Sequence, residues 1–132
     1  MGARVAKRVL VDTDVLIDYL RGRPEAIEYL EAEGPEPLIS AISVAELYAG
    51  VRDEKERKAL ELFVAGFEVV PVDGIIAERG GLYRRDYVRS HGVTLADALI
   101  AGTASVRRAR LVTLNTKHFP MLADATAPYA AS

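Results

Sequence analysis

Val9-Leu10-Val11-Asp12-Thr13-Asp14-Val15-Leu16-Ile17 is the stretch that decides the fold. Val9 to Val11 reads as a short strand buried on both faces, since consecutive apolar residues leave it no polar side. A helix starts near Asp14 and runs on through Val15, Leu16 and Ile17 until Gly22 and Pro24 interrupt it. The same alternation continues outward. Glu25 to Glu33 reads as helix, Gly34-Pro35-Glu36-Pro37 as a turn, and Leu38 to Ser40 as a second strand. Ile42 to Gly50 and Glu54 to Ala65 form a helix pair, Phe67 to Val72 a third strand, Gly74 to about Ser90 a long helix, Leu95 to Arg107 another, and Arg110 to Leu114 a fourth strand. Short apolar strands alternating with helices predict an α/β domain with a mostly parallel sheet covered on both faces. Ligands of such folds bind outside the carboxyl ends of the strands, where Asp12 and Asn115 lie in this reading.

A chain of 132 residues, 50% hydrophobic and 27% charged, suits one globular domain over residues 1–132. Without cysteine there is no disulfide, zinc–thiolate site or thiol nucleophile. His91 and His118 are the only histidines, so any metal would be a hard cation held by oxygen. The basic N-terminal segment has an apolar stretch broken by acids, which fits neither a signal peptide nor a membrane span, and a cytoplasmic location is the default expectation. A net charge of -2 gives no global attraction to nucleic acid. Two local clusters, Arg84, Arg85 and Arg89, and Arg107, Arg108 and Arg110, fit either phosphate contacts or solvated helix faces, with Arg84 and Arg85 taken as substrate-positioning candidates.

Asp12, Glu46 and Asp97 stand in otherwise apolar or small-residue text. Burying a carboxylate costs several kcal/mol unless a cation or hydrogen bonds compensate. A bland role exists for each: Ser43 to Glu46 and Thr94 to Asp97 fit the capping box, and Asp12 or Thr13 could cap the helix that follows. The joint pattern favours a shared compensator. Ala98, Leu99, Ile100, Ala101 and Gly102 follow Asp97, while Val44, Ala45, Leu47 and Ala49 bracket Glu46, so both helices read as buried near their beginnings. The small face Ala101, Ala104, Ser105 would admit a backbone or a ligand closely. First-turn carboxylates stay ionised and repel one another when empty; Mg²⁺ or Mn²⁺ would relieve this and activate water toward a phosphoester.

Val9 to Ile17, Ile42 to Gly50, Leu95 to Thr103 and Leu111 to Phe119 together resemble the ordered motifs of PIN-domain ribonucleases, specifically VapC-type toxins of toxin–antitoxin pairs. The resemblance spans nearly the whole chain. It implies an α/β/α sandwich, Mg²⁺- or Mn²⁺-dependent endoribonuclease activity on RNA, a homodimer, and neutralisation by a small VapB-type antitoxin. By position it makes Asp12, Glu46 and Asp97 the catalytic metal-binding acids, with Thr13 and Asn115 as polar neighbours orienting water or metal. It makes the pair over about 42–65 a clip for the antitoxin, although Leu60, Leu62, Phe63 and Val64 read equally well as core. Many members carry a fourth acid where Asn115 stands, so one well-held metal is expected, a second arriving only with substrate. Asp14 is either the substitute for that acid or, being on a helix, a residue that points to solvent, and His118 reads as structural or surface rather than as a base.

Asp12-Thr13-Asp14-Val15 after a buried strand also resembles the opening of haloacid-dehalogenase-type phosphatases, with Asp12 as nucleophile and Asp14 as general acid. That chemistry needs a later lysine at a helix start, and Lys7, Lys55, Lys58 and Lys117 are all poorly placed. A receiver domain would need an aspartate at a mid-chain strand end. In a non-catalytic reading the acids are caps and the chain is a partner-binding module.

Overall fold

The computed structural model describes residues 7–32 and 34–131. Met1 to Ala6, the start of the basic segment, and Glu33, where the second helix was expected to end, lie outside the described residues. The strands are β1 (Val9–Val11), β2 (Leu38–Ser40), β3 (Glu68–Val70) and β4 (Arg110–Val112). The helices are α1 (Thr13–Leu20), α2 (Pro24–Glu31), α3 (Ala41–Ala49), α4 (Glu54–Val64), α5 (Gly74–His91) and α6 (Leu95–Val106). Every expected element is present, with ends moved by a few residues. β4 stops at Val112, short of Leu114, and a 3-10 turn follows at Thr116–His118.

All strand pairings are parallel, in the order β3-β2-β1-β4. The chain therefore builds outward from β1 through β2 to β3, then crosses to add β4 on the other side of β1. That reversal opens a crevice at the carboxyl ends of β1 and β4. Leu10 pairs with Leu111 and Val11 with Val112, so Asp12 and Thr113 leave the sheet side by side.

Side chains alternate across the sheet and feed separate cores. Leu10, Leu38, Val70 and Leu111 pack under α5 and α6 with Ile76, Ile100 and Ala101. Val11, Ile39 and Val112 pack under α1, α3 and α4 with Val15, Leu16, Leu47 and Leu60. The sheet is thus the middle of three layers. Of the apolar positions on α4, Leu60 is core, Phe63 and Val64 pack against it, and Leu62 is exposed. The C-terminal segment returns to the sheet: Thr126 bridges to Val112, and the Tyr129 hydroxyl donates to Asp18 at 2.9 Å.

On α6 the close approach of a backbone is at Gly102, off the face of Ala101, Ala104 and Ser105. A Cβ added at Gly102 would lie 2.9 Å from the Gly80 nitrogen and 3.1 Å from the Ile76 carbonyl oxygen, so α5 and α6 touch main chain to main chain. Neither neighbour is a flexible side-chain end, and overpacking of this kind costs about 1–3 kcal/mol. Gly102→Ala is therefore expected to lower the urea midpoint despite alanine's better helix propensity. Gly81→Ala, also on α5 but facing open space, is expected to raise stability by up to about 1 kcal/mol. Equal effects from the two changes would overturn the close-packing account.

Candidate active site

Asp12 follows β1 directly and caps α1, the residue being buried at 7% exposure. Its Oδ1 accepts from the Thr13 amide at 2.8 Å and its Oδ2 from the Thr113 hydroxyl at 2.8 Å. These bonds favour the charged form, but burial and the nearby charges of Asp14 and, more weakly, Asp97 oppose it. Burial dominates, and the group is pushed up from 3.8 to about 7.

Asp14 does not point to solvent. Its Oδ1 accepts from the Val15 amide at 2.8 Å, and its Oδ2 from the Leu114 amide at 3.0 Å, tying the first turn of α1 to the end of β4. Burial raises its pKa despite these bonds. With both oxygens engaged, Asp14 is a poor general acid, which removes the geometric basis of the phosphatase reading.

Thr113 was missed in the sequence because it sits inside the apolar run Leu111-Val112-Thr113-Leu114. Register gives it the strand-end place that had been assigned to Asn115. It is fully buried, and its oxygen also accepts from the Asn115 amide at 3.1 Å. The hydroxyl carries one proton, and its short bond to Asp12 outcompetes the 3.3 Å approach to Asp14. Asn115 itself is exposed and precedes the 3-10 turn without a side-chain capping bond.

Glu46 departs from the capping-box reading. Ser40, the last residue of β2, caps α3 by accepting from the Ile42 amide at 3.0 Å, so the helix begins earlier than expected and Glu46 falls in its second turn. Ser43 is instead a fully buried residue inside the helix. Thr13 Oγ1 lies 2.8 Å from both Ser43 Oγ and Glu46 Oε1. A carboxylate only accepts, so the Thr13 proton goes to Glu46 and the Ser43 proton to Thr13. Glu46 is exposed rather than buried, and this hydroxyl relay is what joins it to the strand-end site.

Asp97 keeps its expected cap: Thr94 accepts from the Asp97 amide at 3.1 Å, placing the acid in the first turn of α6. Its side chain is 26% exposed, and His118 Nδ1 stands 3.9 Å from its Oδ2, a proximity the sequence did not signal. The Asp97 charge acts weakly on Asp12, and Glu46 is linked to Asp12 through Thr13, whose amide donates to Asp12 and whose hydroxyl donates to Glu46. Among the described residues no three His, Cys, Asp or Glu side chains are gathered tightly enough to form a ready metal-binding group. Arg85 pairs with Asp86 in solvent at 2.9 Å, and Arg84 has a buried Nε without a hydrogen-bond partner; neither donates to Asp12, Glu46 or Asp97. No helix among the described residues is long and apolar enough to cross a membrane.

A groove of about 630 Å³ opens from Glu46 between α1, α3 and α4, walled by Ile17, Leu20, Leu47 and Leu60 with Arg52 and Glu56 on its rim. Leu20 is 46% exposed there.

Residues 9–124 match the PIN domain family. Ribonuclease VapC10 of Mycobacterium tuberculosis is 45% identical over 125 residues, 92% of this chain and 93% of that protein. A toxin-antitoxin complex from Klebsiella pneumoniae contains a chain matching this one with a TM-score of 0.81 at 32% identity, over 93% of this chain and 99% of its own. A DNA-bound VapBC from Salmonella typhimurium gives 0.77 at 25% identity, over 92% and 97%. Parallel order, strand-end acid and these similarities agree: the chain belongs to the PIN-domain family, among the VapC ribonucleases.

Proposed function

We propose that the chain is a divalent-metal-dependent endoribonuclease that hydrolyses RNA phosphodiester bonds at the Asp12–Thr113 edge of the sheet, as the toxin of a pair with a VapB-type antitoxin. The observation that carries this reading is Asp12: a buried carboxylate with two further acids adding like charge needs a counter-cation to ionise fully at neutral pH. The donor set fits a hard ion such as Mg²⁺ or Mn²⁺. Asp12 and Asp97 would hold it, with Glu46 reached through the rest of its water shell. When bound, such an ion acidifies water and stabilises negative charge on a phosphoryl oxygen. The chain's own part is orientation: Thr113 fixes the Asp12 carboxylate, Thr13 fixes Glu46, and partly exposed Asp97 leaves an open side for a phosphodiester. Asn115, whose amide donates to Thr113, offers a neutral side chain in place of a fourth acid, which favours one firmly held ion.

The apolar groove beside Glu46 suits an antitoxin segment, whose seating would reach the acids directly. This is the clip role for α3 and α4. A cytoplasmic homodimer is the accompanying assembly, for which exposed Ile75 and Leu82, seven residues apart on α5, and Leu95 on α6 offer an apolar surface.

Cleavage of a mixed RNA pool, assayed with and without Mg²⁺ beside phosphatase activity, tests the reading. Mg²⁺-dependent cleavage is expected, and Asp97→Asn should lower it by at least about 100-fold. Phosphatase activity that survives Asp97→Asn but disappears in Asp12→Asn would sink it.

A further inference from the structure

At the opposite end of the sheet from the acids lies a shallow cavity of about 570 Å³, lined by Lys7, Tyr83, Ser105, Arg108, Met121 and Asp124 among others. Lys7 precedes β1 and Arg108 precedes β4, so by strand rise the cavity stands roughly 15 Å from Asp12. Arg108 is the one non-glycine residue among those described with a left-handed backbone, at φ 52. It closes α6: its amide donates to Ser105 O at 3.3 Å, and the Ala109 amide donates to Ala104 O at 2.9 Å. This is the Schellman arrangement, whose left-handed place glycine ordinarily fills. An arginine held there is strained, and strain retained at a cavity wall points to use.

The charges around it are uneven. Lys7 is paired with Asp124 at 2.7 Å. Arg108 makes no ion pair or side-chain hydrogen bond among the described residues, and Arg79 is bound only to a neutral group, Ser105 Oγ at 2.8 Å. Tyr83 reaches the same Ser105 oxygen at 3.0 Å. Arg108 thus lines the cavity without a carboxylate partner, and Arg79, bound to the lining Ser105, has none either, on a chain whose net charge is -2. Guanidinium is the side chain suited to phosphate, because its planar fork matches the phosphate oxygens.

We propose that this cavity is a second RNA contact, in which Arg108, with Arg79 beside it, takes a backbone phosphate of the substrate well away from the scissile bond. The proposal rests on the ribonuclease reading and extends its footprint. Long RNA engages both sites, whereas a dinucleotide, with its single phosphodiester, reaches only the acids.

Arg108→Gly separates strain from charge. Melting temperature is expected to rise by about 2–5 °C as the backbone relaxes. KM for a long mixed-sequence single-stranded RNA is expected to rise about 3–10-fold, the effect falling on KM rather than kcat. Its log–log salt dependence should become shallower by about 0.7, the value of one single-strand phosphate. Dinucleotide cleavage should not share the loss, and Arg108→Lys, which keeps the charge but not the planar fork, should restore the salt slope and part of the KM for long RNA. An unchanged KM and salt slope in Arg108→Gly overturns the second contact while leaving the ribonuclease reading intact; so does an equal loss on the dinucleotide, which would move Arg108 to the acids. Inorganic phosphate that stabilises the wild type against heat, with no difference in RNA KM between the proteins, assigns the cavity to small anions and overturns it too. A wild-type chain that neither binds nor cuts RNA brings down both readings.

Discussion

Asp12→Asn is expected to abolish RNA cleavage, by about 10³-fold or more, while making the metal-free protein harder to unfold at pH 8. On the proposed reading the activity loss follows from removing a ligand of an ion that would supply several kcal/mol of transition-state stabilisation, each 1.36 kcal/mol being tenfold in rate. The stability gain follows from the burial of Asp12. Its folded pKa of about 7 against an ordinary value of 3.8 means the folded state holds the proton more tightly than the unfolded chain. The Asp12 contribution to stability is accordingly greatest below about pH 4, falls as pH rises toward 7, and is lower by an amount on the order of 4 kcal/mol above that. Asparagine carries no charge to penalise. Its amide oxygen keeps the Thr13 bond and its nitrogen can donate to Thr113, whose proton then turns to Asp14. Urea midpoints from pH 4 to 8 should slope downward in the wild type, with most of the slope gone in Asp12→Asn. Mg²⁺ should raise the melting temperature of the wild type at pH 8 and not that of the variant. A flat wild-type profile would refute the account of Asp12.

Thr113→Val should be the next most damaging change. The shape is conserved, but the hydroxyl that donates to Asp12 and accepts from the Asn115 amide is gone. Leaving a buried carboxylate oxygen and an amide short of partners costs about 1–3 kcal/mol each. The Thr113 bond lowers the Asp12 pKa, so its removal raises that pKa further. The acidic limb of the pH–rate profile should shift to higher pH, with cleavage near pH 7 down about 10–100-fold and recovering partly at pH 9. Thr113→Ser should restore both rate and limb. A uniform loss at every pH would mean that Thr113 matters for packing alone.

Much of the fold was legible because the strands are short apolar runs bounded by proline, glycine and capping hydroxyls, and those boundaries are local chemistry. The strand-end position of Asp12 and the Thr94 cap beneath Asp97 are local too. What escaped the sequence depends on distant parts of the chain. Ser40 and Ser43 are both able to cap α3; only the direct run of β2 into the helix selects Ser40 and moves Glu46 into the second turn. Thr113 gave no signal, since its role is set by register with a residue at the other end of the chain. Asp14 could be read as a surface acid until the end of β4 supplied the Leu114 amide. Arg108 stood in a basic run, and nothing in that run announced a left-handed backbone.

The bond between Asp12 and Thr113 joins residues 101 positions apart, and Asp14 to Leu114 spans 100. A contact of that separation closes only after the intervening chain has been made and has collapsed around it. During synthesis, then, the first motif emerges long before its partner exists, and a chain broken off before β4 carries all three acids without the crevice that arranges them. If the acids act as proposed, the nuclease stays inert toward the RNA that surrounds its own translation until β4 has been delivered.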